Sequence, residues 1–317
     1  MEQTNRCDGF ARRRFLGVLA ASLGYYGSPA ASAAADRLPP RYRIDLDDVV
    51  PRQGVNTRLI FGDAIQRLVA AGALDPDKYR AVLSTQGRLP NWVEHLFAAS
   101  SVSPIVFSTE NAMYLLHLLW PLGLSTRAGF NRQSPIRTVR LPSFASTAGW
   151  TLGRASNGYV YFDQVDAIRL THAQEAKALE VATTTFRPCC DNSTFFQDCN
   201  HGSALLGLIE LGASQGASVD QLYQIAQAAN SYWFPSQYAM TAMYFTYFRR
   251  QPWRTVSPRL VLGADYSSSS GWERNVADTL AQKKASGPPP QQASASCGMP
   301  TGEDAWSGAP HIVRRGK

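Results

Sequence analysis

Apolar positions in the first half of the chain recur at three- and four-residue spacing, which places them on one face of an α-helix. Turn residues and caps mark the helix ends. Gly72 follows the first apolar run, Asp75-Pro76 opens the second, and Pro121 follows the fourth. The pattern therefore predicts four helices, over residues 59–71, 76–82, 91–99 and 110–120.

The second half shows the same spacing with clearer helix starts. Thr171 and Ser218 are each followed three residues later by Gln, the capping-box pattern in which two side chains satisfy free amide groups. Aromatic and methionine side chains form a stripe along the last helix, which is more typical of a core than of a cofactor pocket. The predicted helices span residues 172–185, 203–213, 219–231 and 236–248.

The segment between the two halves is less regular. Residues 132–153 are rich in Ser, Thr, Pro, Arg and Gly and predict a long ordered loop. Two short runs, 158–162 and 167–170, predict a small β-hairpin. The predicted fold class is mainly α: one helical domain over residues 36–282 with a small β-hairpin and long ordered loops. Residues 283–317 contain three consecutive prolines and no periodicity, and predict a disordered tail.

The first 35 residues have the features of an export signal. Arg12-Arg13, one spacer, Phe15-Leu16 and a short apolar run resemble a twin-arginine signal peptide, and Ala31-Ser32-Ala33 resembles its cleavage site. The apolar run is far shorter than the roughly 20 residues that span a bilayer, so no stable membrane anchor is expected after cleavage. The sequence therefore predicts the twin-arginine translocase as a partner during export, and a soluble mature protein that is periplasmic or secreted.

The formal net charge of +7 lies mostly outside the predicted domain. The signal region contributes two of these charges and the tail three, which leaves the domain near +2. A domain so close to neutral has no basic surface for nucleic acid, and no nucleic-acid partner is expected. A small-molecule or redox partner stays open.

The most unusual segment of the chain is a cluster of cysteines. Cys189 and Cys190 are adjacent, Cys199 follows nine residues later, and His201 comes two residues after it, just before the helix predicted to begin at Ser203. Free amide groups and the positive end of the helix dipole favour the thiolate form of a nearby cysteine. The cluster is therefore the candidate functional site.

Three interpretations of the cluster stay open. An exported protein commonly forms disulfides, and Cys199 could bridge to Cys189 or Cys190 as a staple in a binding or structural protein. Cys189, Cys190, Cys199 and His201 could instead ligate a transition metal or an iron–sulfur centre, since thiolates and imidazole suit zinc, copper(I) and iron. Cys199 could also act as the nucleophile of a thiol-dependent hydrolase, although that needs a separately placed histidine.

Other motifs change this picture little. No Cys-x-x-Cys-His motif for c-type haem occurs. Residues 212–216 match Gly-x-Ser-x-Gly, but they lie between two predicted helices, so the glycines mark a helix end rather than a nucleophile elbow. Glu210 lies on the helix after the cluster, where we expect it either to support the cluster or to face water.

With these residues in view, the chain resembles a family of exported bacterial proteins. The resemblance rests on the Leu-Leu-Trp-Pro-Leu-Gly-Leu stretch at 118–124, on residues 144–152, and on the Arg-Pro-Cys-Cys and Cys-Asn-His-Gly ends of 187–202, with the helices that follow to Phe234. It implies that the cysteine segment belongs to the design of the family. It implies no activity, substrate or cofactor.

Overall fold

The computed structural model of the chain describes residues 44–137, 141–142 and 152–282. Its main elements are helices, joined by short turns and accompanied by two strands. The strands are β1 Val55–Gly62 and β2 Ser101–Phe107. The helices are α1 Ala64–Ala71, α2 Pro76–Val82, α3 Asn91–Ala98, α4 Ala112–Ser125, α5 His172–Thr184, α6 Asn200–Ser214, α7 Val219–Trp233, α8 Pro235–Phe248, α9 Pro258–Val261, α10 Ala264–Ser267, α11 Ser269–Trp272 and α12 Asp278–Gln282.

Shorter helical turns complete the connections. Single 3-10 turns cover Leu46–Asp48, Ser84–Gln86, Gly129–Gln133, Gly158–Tyr161 and Trp253–Thr255, and a π-helical turn covers Glu273–Ala277. The mainly α fold class is confirmed. The predicted signal and tail, and most of the predicted loop at 132–153, lie outside the described residues.

The start of the first predicted helix was wrong, because residues 55–62 form a strand. Thr57, Leu59 and Phe61 are buried and alternate with more exposed neighbours, which is the two-residue period of a half-buried strand. This strand pairs antiparallel with β2, from Val55 opposite Phe107 to Gly62 opposite Ser101. Adjacent apolar residues such as Leu59 and Ile60 fit both periods, and the helix begins only at Ala64.

Two further predictions about the middle of the chain were wrong. Helix α4 does not end at Pro121 but continues through it to Ser125, and its last turn is buried in the core. Residues 158–161 form a 3-10 turn rather than a strand, and no strand is assigned at 167–170. In place of a hairpin, Val165 makes an isolated bridge with Thr126.

The predicted helix starts at Asp75, Thr171 and Ser218 and the apolar stripe are confirmed. Both capping boxes are present, at Thr171 and at Ser218, and the Asp75 side chain accepts hydrogen bonds from the first amide groups of α2. Along α8, Met243 and Phe245 are buried in the core. Local hydrogen-bonding chemistry sets these boundaries, which is why the sequence predicts them.

The closest helix pair in the core is α4 with α6. A Cβ atom added to Gly123 would lie 1.8 Å from the carbonyl oxygen of Ser203, and one added to Gly207 would lie 2.6 Å from the amide nitrogen of Gly123. Only glycine allows the two backbones to approach this closely. The crossing at Gly123 and Gly207 therefore fixes the position of α6, the helix that carries the cysteine cluster at its start.

Helices α4 and α6 point in the same direction. At their beginnings, Trp233 Nε1 donates to the carbonyl oxygen of Ala112 at 3.1 Å, and the Trp233 ring lies 5.9 Å from the His201 ring. At their other ends, the segment 165–168 bridges to Thr126 and, with the last turn of α6, lines a cavity of about 260 Å³. The residue three positions after Gly123 in α4 and the residue three positions after Gly207 in α6 therefore lie at the same level of the core.

Within the described part of the chain, every helix is too short or too polar to traverse a lipid bilayer.

Candidate functional site

The cysteine cluster lies in the connection between α5 and α6. Cys189 and Cys190 lie in a turn after α5, and Cys199 is the N-cap of α6, where its sulfur accepts a hydrogen bond from the Gly202 amide at 3.3 Å. The helix thus begins at Asn200, one turn before the predicted start at Ser203. Cys199 occupies the position at which free amide groups and the helix dipole favour a thiolate.

The three sulfur atoms form one compact group. Their Sγ atoms all lie within 4.8 Å of one another, and all three cysteines are buried. The sulfurs of Cys189 and Cys199 are 3.7 Å apart, which is well beyond the roughly 2.05 Å of a disulfide bond. The structure therefore shows three reduced cysteines, not linked by disulfides, around a common centre.

A fully buried arginine holds this group in place. The Arg187 guanidinium donates to the carbonyl oxygens of Asn192 and Phe196 at 2.7 and 3.2 Å, to the Asp198 carboxylate at 2.5 Å and to the Cys199 sulfur at 3.4 Å. Burial lowers the pKa of Arg187, but the neighbouring thiols and Asp198 outweigh it and raise the pKa overall. The guanidinium is therefore a permanent positive charge beside the three sulfurs.

Gly202 is necessary for the position of this arginine. A Cβ atom at Gly202 would lie 2.5 Å from a terminal nitrogen of Arg187. The absence of a side chain at Gly202 therefore admits the guanidinium beneath the first turn of α6.

Asp198 completes the charge pattern. One of its carboxylate oxygens accepts from Arg187 and the other accepts from Asn192 Nδ2 at 2.5 Å. Burial raises the pKa of Asp198 to about 6, although the positive charge of Arg187 opposes the shift. At neutral pH the carboxylate is therefore ionised and balances the guanidinium, and a negative charge on a thiolate would be additional.

The three thiols differ in pKa. Hydrogen bonds from Cys189 and Cys190 hold the pKa of the Cys199 thiol well below its usual range, and Arg187 acts in the same direction. For Cys189, the hydrogen bonds with Cys190 and Cys199 and burial all raise the pKa. The hydrogen bond with Cys189 lowers the pKa of Cys190, but the bond to Cys199 and burial outweigh it. Cys199 is therefore the first of the three to lose its proton.

His201 lies at the same corner but is not part of the three-sulfur group. Its ring packs against Phe234 at 4.6 Å and Trp233 at 5.9 Å between ring centroids. Burial lowers its pKa to about 4, against the effect of Cys199, so the ring is neutral at pH 7. The structure thus groups three of the four predicted ligands, and ligation by His201 stays a prediction.

This arrangement favours binding chemistry over attack on a substrate. Cys199 is only 4% exposed, so a substrate has no path to its sulfur in this conformation. Three soft sulfur donors around one centre, beside a fixed positive charge, match the donor set of a thiolate metal site. They also match a dithiol in which a third cysteine is close enough to exchange.

The sequence indicated the cysteines but not their partners. Arg187 and Asp198 are ordinary charged residues in the sequence, and nothing in their spacing shows that both are buried. Their only signal is that they flank the cysteines within one short connection between helices. A charged pair beside a cluster of thiols was the observation that could have suggested them.

The chain matches no protein-family model, no curated protein and no solved structure. The function of the chain is therefore inferred from its own residues alone.

Proposed function

We propose that this protein is an exported metalloprotein in which Cys189, Cys190 and Cys199 bind one soft transition-metal ion. The observation that carries the proposal is the grouping of three buried sulfur atoms within 4.8 Å of one another. Soft thiolate ligands select copper(I), zinc or iron–sulfur clusters over hard cations. Export through the twin-arginine route and a periplasmic location are part of the proposal and are supported by the N-terminal sequence alone.

The charges around the sulfurs fit this proposal. A metal ion displaces thiol protons, and the resulting thiolates are stabilised by a nearby positive charge. Arg187 supplies that charge at 3.4 Å from Cys199, and the lowered pKa of Cys199 favours the replacement of its proton by a metal ion. The protein would thus contribute three sulfur ligands that are already positioned.

A second candidate function is thiol redox chemistry, favoured by the 3.7 Å separation of the Cys189 and Cys199 sulfurs. Closing that gap by less than about 2 Å would form a disulfide. Loss of two electrons and two protons to an external disulfide would oxidise the pair, and because Cys199 is buried this step requires the cluster to open to the oxidant first. Cys190 could then exchange with the new bond.

The test is elemental analysis of protein purified without chelator from the exported fraction of its host. We expect about one equivalent of a transition metal per chain, and recovery from that fraction tests the export proposal as well. Cys199→Ser should lose at least about nine tenths of the metal, because it removes a ligand. Cys297→Ser is the matched control, since it removes a cysteine about 100 residues from Cys199 in the sequence, and should retain the metal.

Metal-free protein that also fails to take up zinc or copper(I) would overturn the metal proposal. The number of free thiols after denaturation without reductant then decides the rest. Two thiols lost from the cluster would show a disulfide, and reversible reduction of that disulfide in the native protein would favour the redox dithiol over a structural staple. Three reduced, metal-free thiols would leave both candidate functions unsupported.

A further inference from the structure

A second polar centre lies on the same helix as Cys199 but has a different chemistry. Glu210, in the last third of α6, is completely buried, and neither of its carboxyl oxygens has a hydrogen-bond partner among the described residues. An unpartnered buried carboxyl group is costly, and native structures seldom leave one without a ligand, a water or a proton to satisfy it. The expectation that Glu210 supports the cluster or faces water was therefore wrong.

Neighbouring side chains also have buried oxygens without a hydrogen-bond partner. Across the described residues, seven buried side-chain oxygens lack a partner, and five of them belong to Ser125, Thr126, Asn131 and Glu210. The first three are close along the chain, and Asn131 Nδ2 donates to the Thr126 carbonyl oxygen at 3.0 Å. Unsatisfied oxygens are thus concentrated in one part of the core instead of being scattered through it.

The helix packing brings Glu210 to this part of the core. Helices α4 and α6 run in the same direction from their crossing at Gly123 and Gly207. Thr126 follows Gly123 by three residues and Glu210 follows Gly207 by three, so both lie at the same level on facing helices. We name the region formed by Ser125, Thr126, Asn131 and Glu210 the oxygen cluster.

Two further carboxylates flank the oxygen cluster. Asp163 accepts from Asn131 Nδ2 at 3.2 Å, and Glu175 accepts from the amide nitrogen of Gly129 at 2.6 Å. Burial raises the pKa of Glu210 well above its usual value, and the negative charges of Asp163 and Glu175 add to the shift. Arg137 lies 3.8 Å from Asp163 and offsets part of this negative charge, but no ion pair among the described residues includes Glu210.

We propose that the oxygen cluster binds a hard metal cation, with Glu210 as its charged ligand and Ser125, Thr126 and Asn131 as neutral oxygen ligands. All five unpartnered atoms are oxygens, the donor type that calcium, magnesium and the alkali cations prefer. Two carboxyl oxygens, two hydroxyls and one amide carbonyl, completed by water, approach the six to eight ligands that Ca²⁺ takes. A cation would replace the proton on Glu210 and offset the neighbouring negative charges.

This proposal is independent of the thiol centre. Hard oxygen ligands and soft sulfur ligands select different metals. The two sites are also separated along α6 by the glycine crossing. A failure of one proposal therefore leaves the other standing.

The test is calcium binding to the full-length protein after removal of metals with a chelator. Isothermal titration with CaCl₂ should show one site, of modest affinity because only one charged ligand contributes, and Ca²⁺ should raise Tm as its concentration increases. Glu210→Gln keeps the shape but removes the charge, and should weaken Ca²⁺ binding at least about tenfold. Thr126→Val is the second variant and should weaken binding as well.

Glu180→Gln is the matched control, because it removes an exposed carboxylate from α5 and should leave Ca²⁺ binding unchanged. Cys199→Ser should also leave it unchanged, which separates this site from the thiol centre. The proposal is overturned if Ca²⁺, Mg²⁺, Na⁺ and K⁺ all fail to bind the chelated protein. It is equally overturned if Glu210→Gln and the unmodified protein bind Ca²⁺ with the same affinity, since Glu210 would then hold only a proton or water.

Discussion

Buried polar side chains have hydrogen-bond partners at the beginning of helix α6 but lack them in its last third. At the beginning, Arg187, Asp198 and Cys199 are all buried, and each has hydrogen-bond partners within the protein. Ten residues or so further along, Glu210 is equally buried and has none among the described residues. The chain therefore organises the first group by itself, whereas the second is incomplete without something from outside.

This contrast distinguishes a preorganised site from an unfinished one. Around Cys199 the fixed charges hold the thiols in position whether or not a metal is present. Around Glu210 the free energy of folding depends on what occupies the oxygen cluster, because an unpartnered charge is destabilising in a medium of low polarity. The two regions should thus respond differently to mutation and to pH.

The largest effect is expected from breaking the partnered region. Arg187→Met should lower the free energy of unfolding by about 3–5 kcal/mol, because it leaves Asp198 buried without its counter-charge. Urea denaturation measures this change. Arg127→Met removes an arginine whose ion pair with Asp166 has both side chains more than half exposed, and should cost less than about 1 kcal/mol.

Equal losses in the two arginine variants would contradict the account. They would show that the Arg187 pair contributes no more than a solvent-exposed one. The claim that buried partners within the protein stabilise the region around Arg187 would then be wrong.

A smaller, pH-dependent effect is expected from the unpartnered region. The pKa of Glu210 is higher in the folded state than the ordinary 4.5, so the folded protein binds a proton that the unfolded chain releases above that pH. Relative to Glu210→Gln, the unmodified protein should therefore lose stability as pH rises above 4.5, at up to about 1.4 kcal/mol per pH unit until Glu210 itself ionises. The measurement is urea denaturation of both proteins across pH in the presence of chelator.

Glu180→Gln, at an exposed position, should show no such pH-dependent difference from the unmodified protein. A stability difference between Glu210→Gln and the unmodified protein that stays constant with pH would mean that Glu210 keeps an ordinary pKa. Its carboxylate would then have a partner, and the claim that the region around Glu210 is incomplete would be wrong.

The parts of the fold that the sequence predicts are those set by local chemistry. Thr171 and Ser218 cap their helices through side chains three residues apart, and this pattern is legible without any tertiary information. The β1 strand and the passage of α4 through Pro121 depend on distant partners instead. β1 pairs with a strand about 40 residues away, and the turn after Pro121 is stabilised by burial in the core.

The candidate site also has some features that the sequence shows and others that depend on the packing of distant residues. The cysteines are rare enough in the sequence to be noticed, and their nearness to a helix start is visible. The roles of Arg187 and Glu210 are not visible, because the sequence does not show which charged residues are buried. Only the packing of α6 under the connection from α5, and against α4, gives these two residues their environments.

The central claim is that the three sulfur atoms of Cys189, Cys190 and Cys199 bind the metal. X-ray absorption at the edge of the metal found in the purified protein tests it most directly, because it counts the sulfur and nitrogen neighbours of the ion. We predict three sulfur neighbours, at about 2.3 Å if the metal is zinc; an imidazole nitrogen at about 2.0–2.1 Å would add His201 as a fourth ligand. Two or fewer sulfur neighbours would contradict the account.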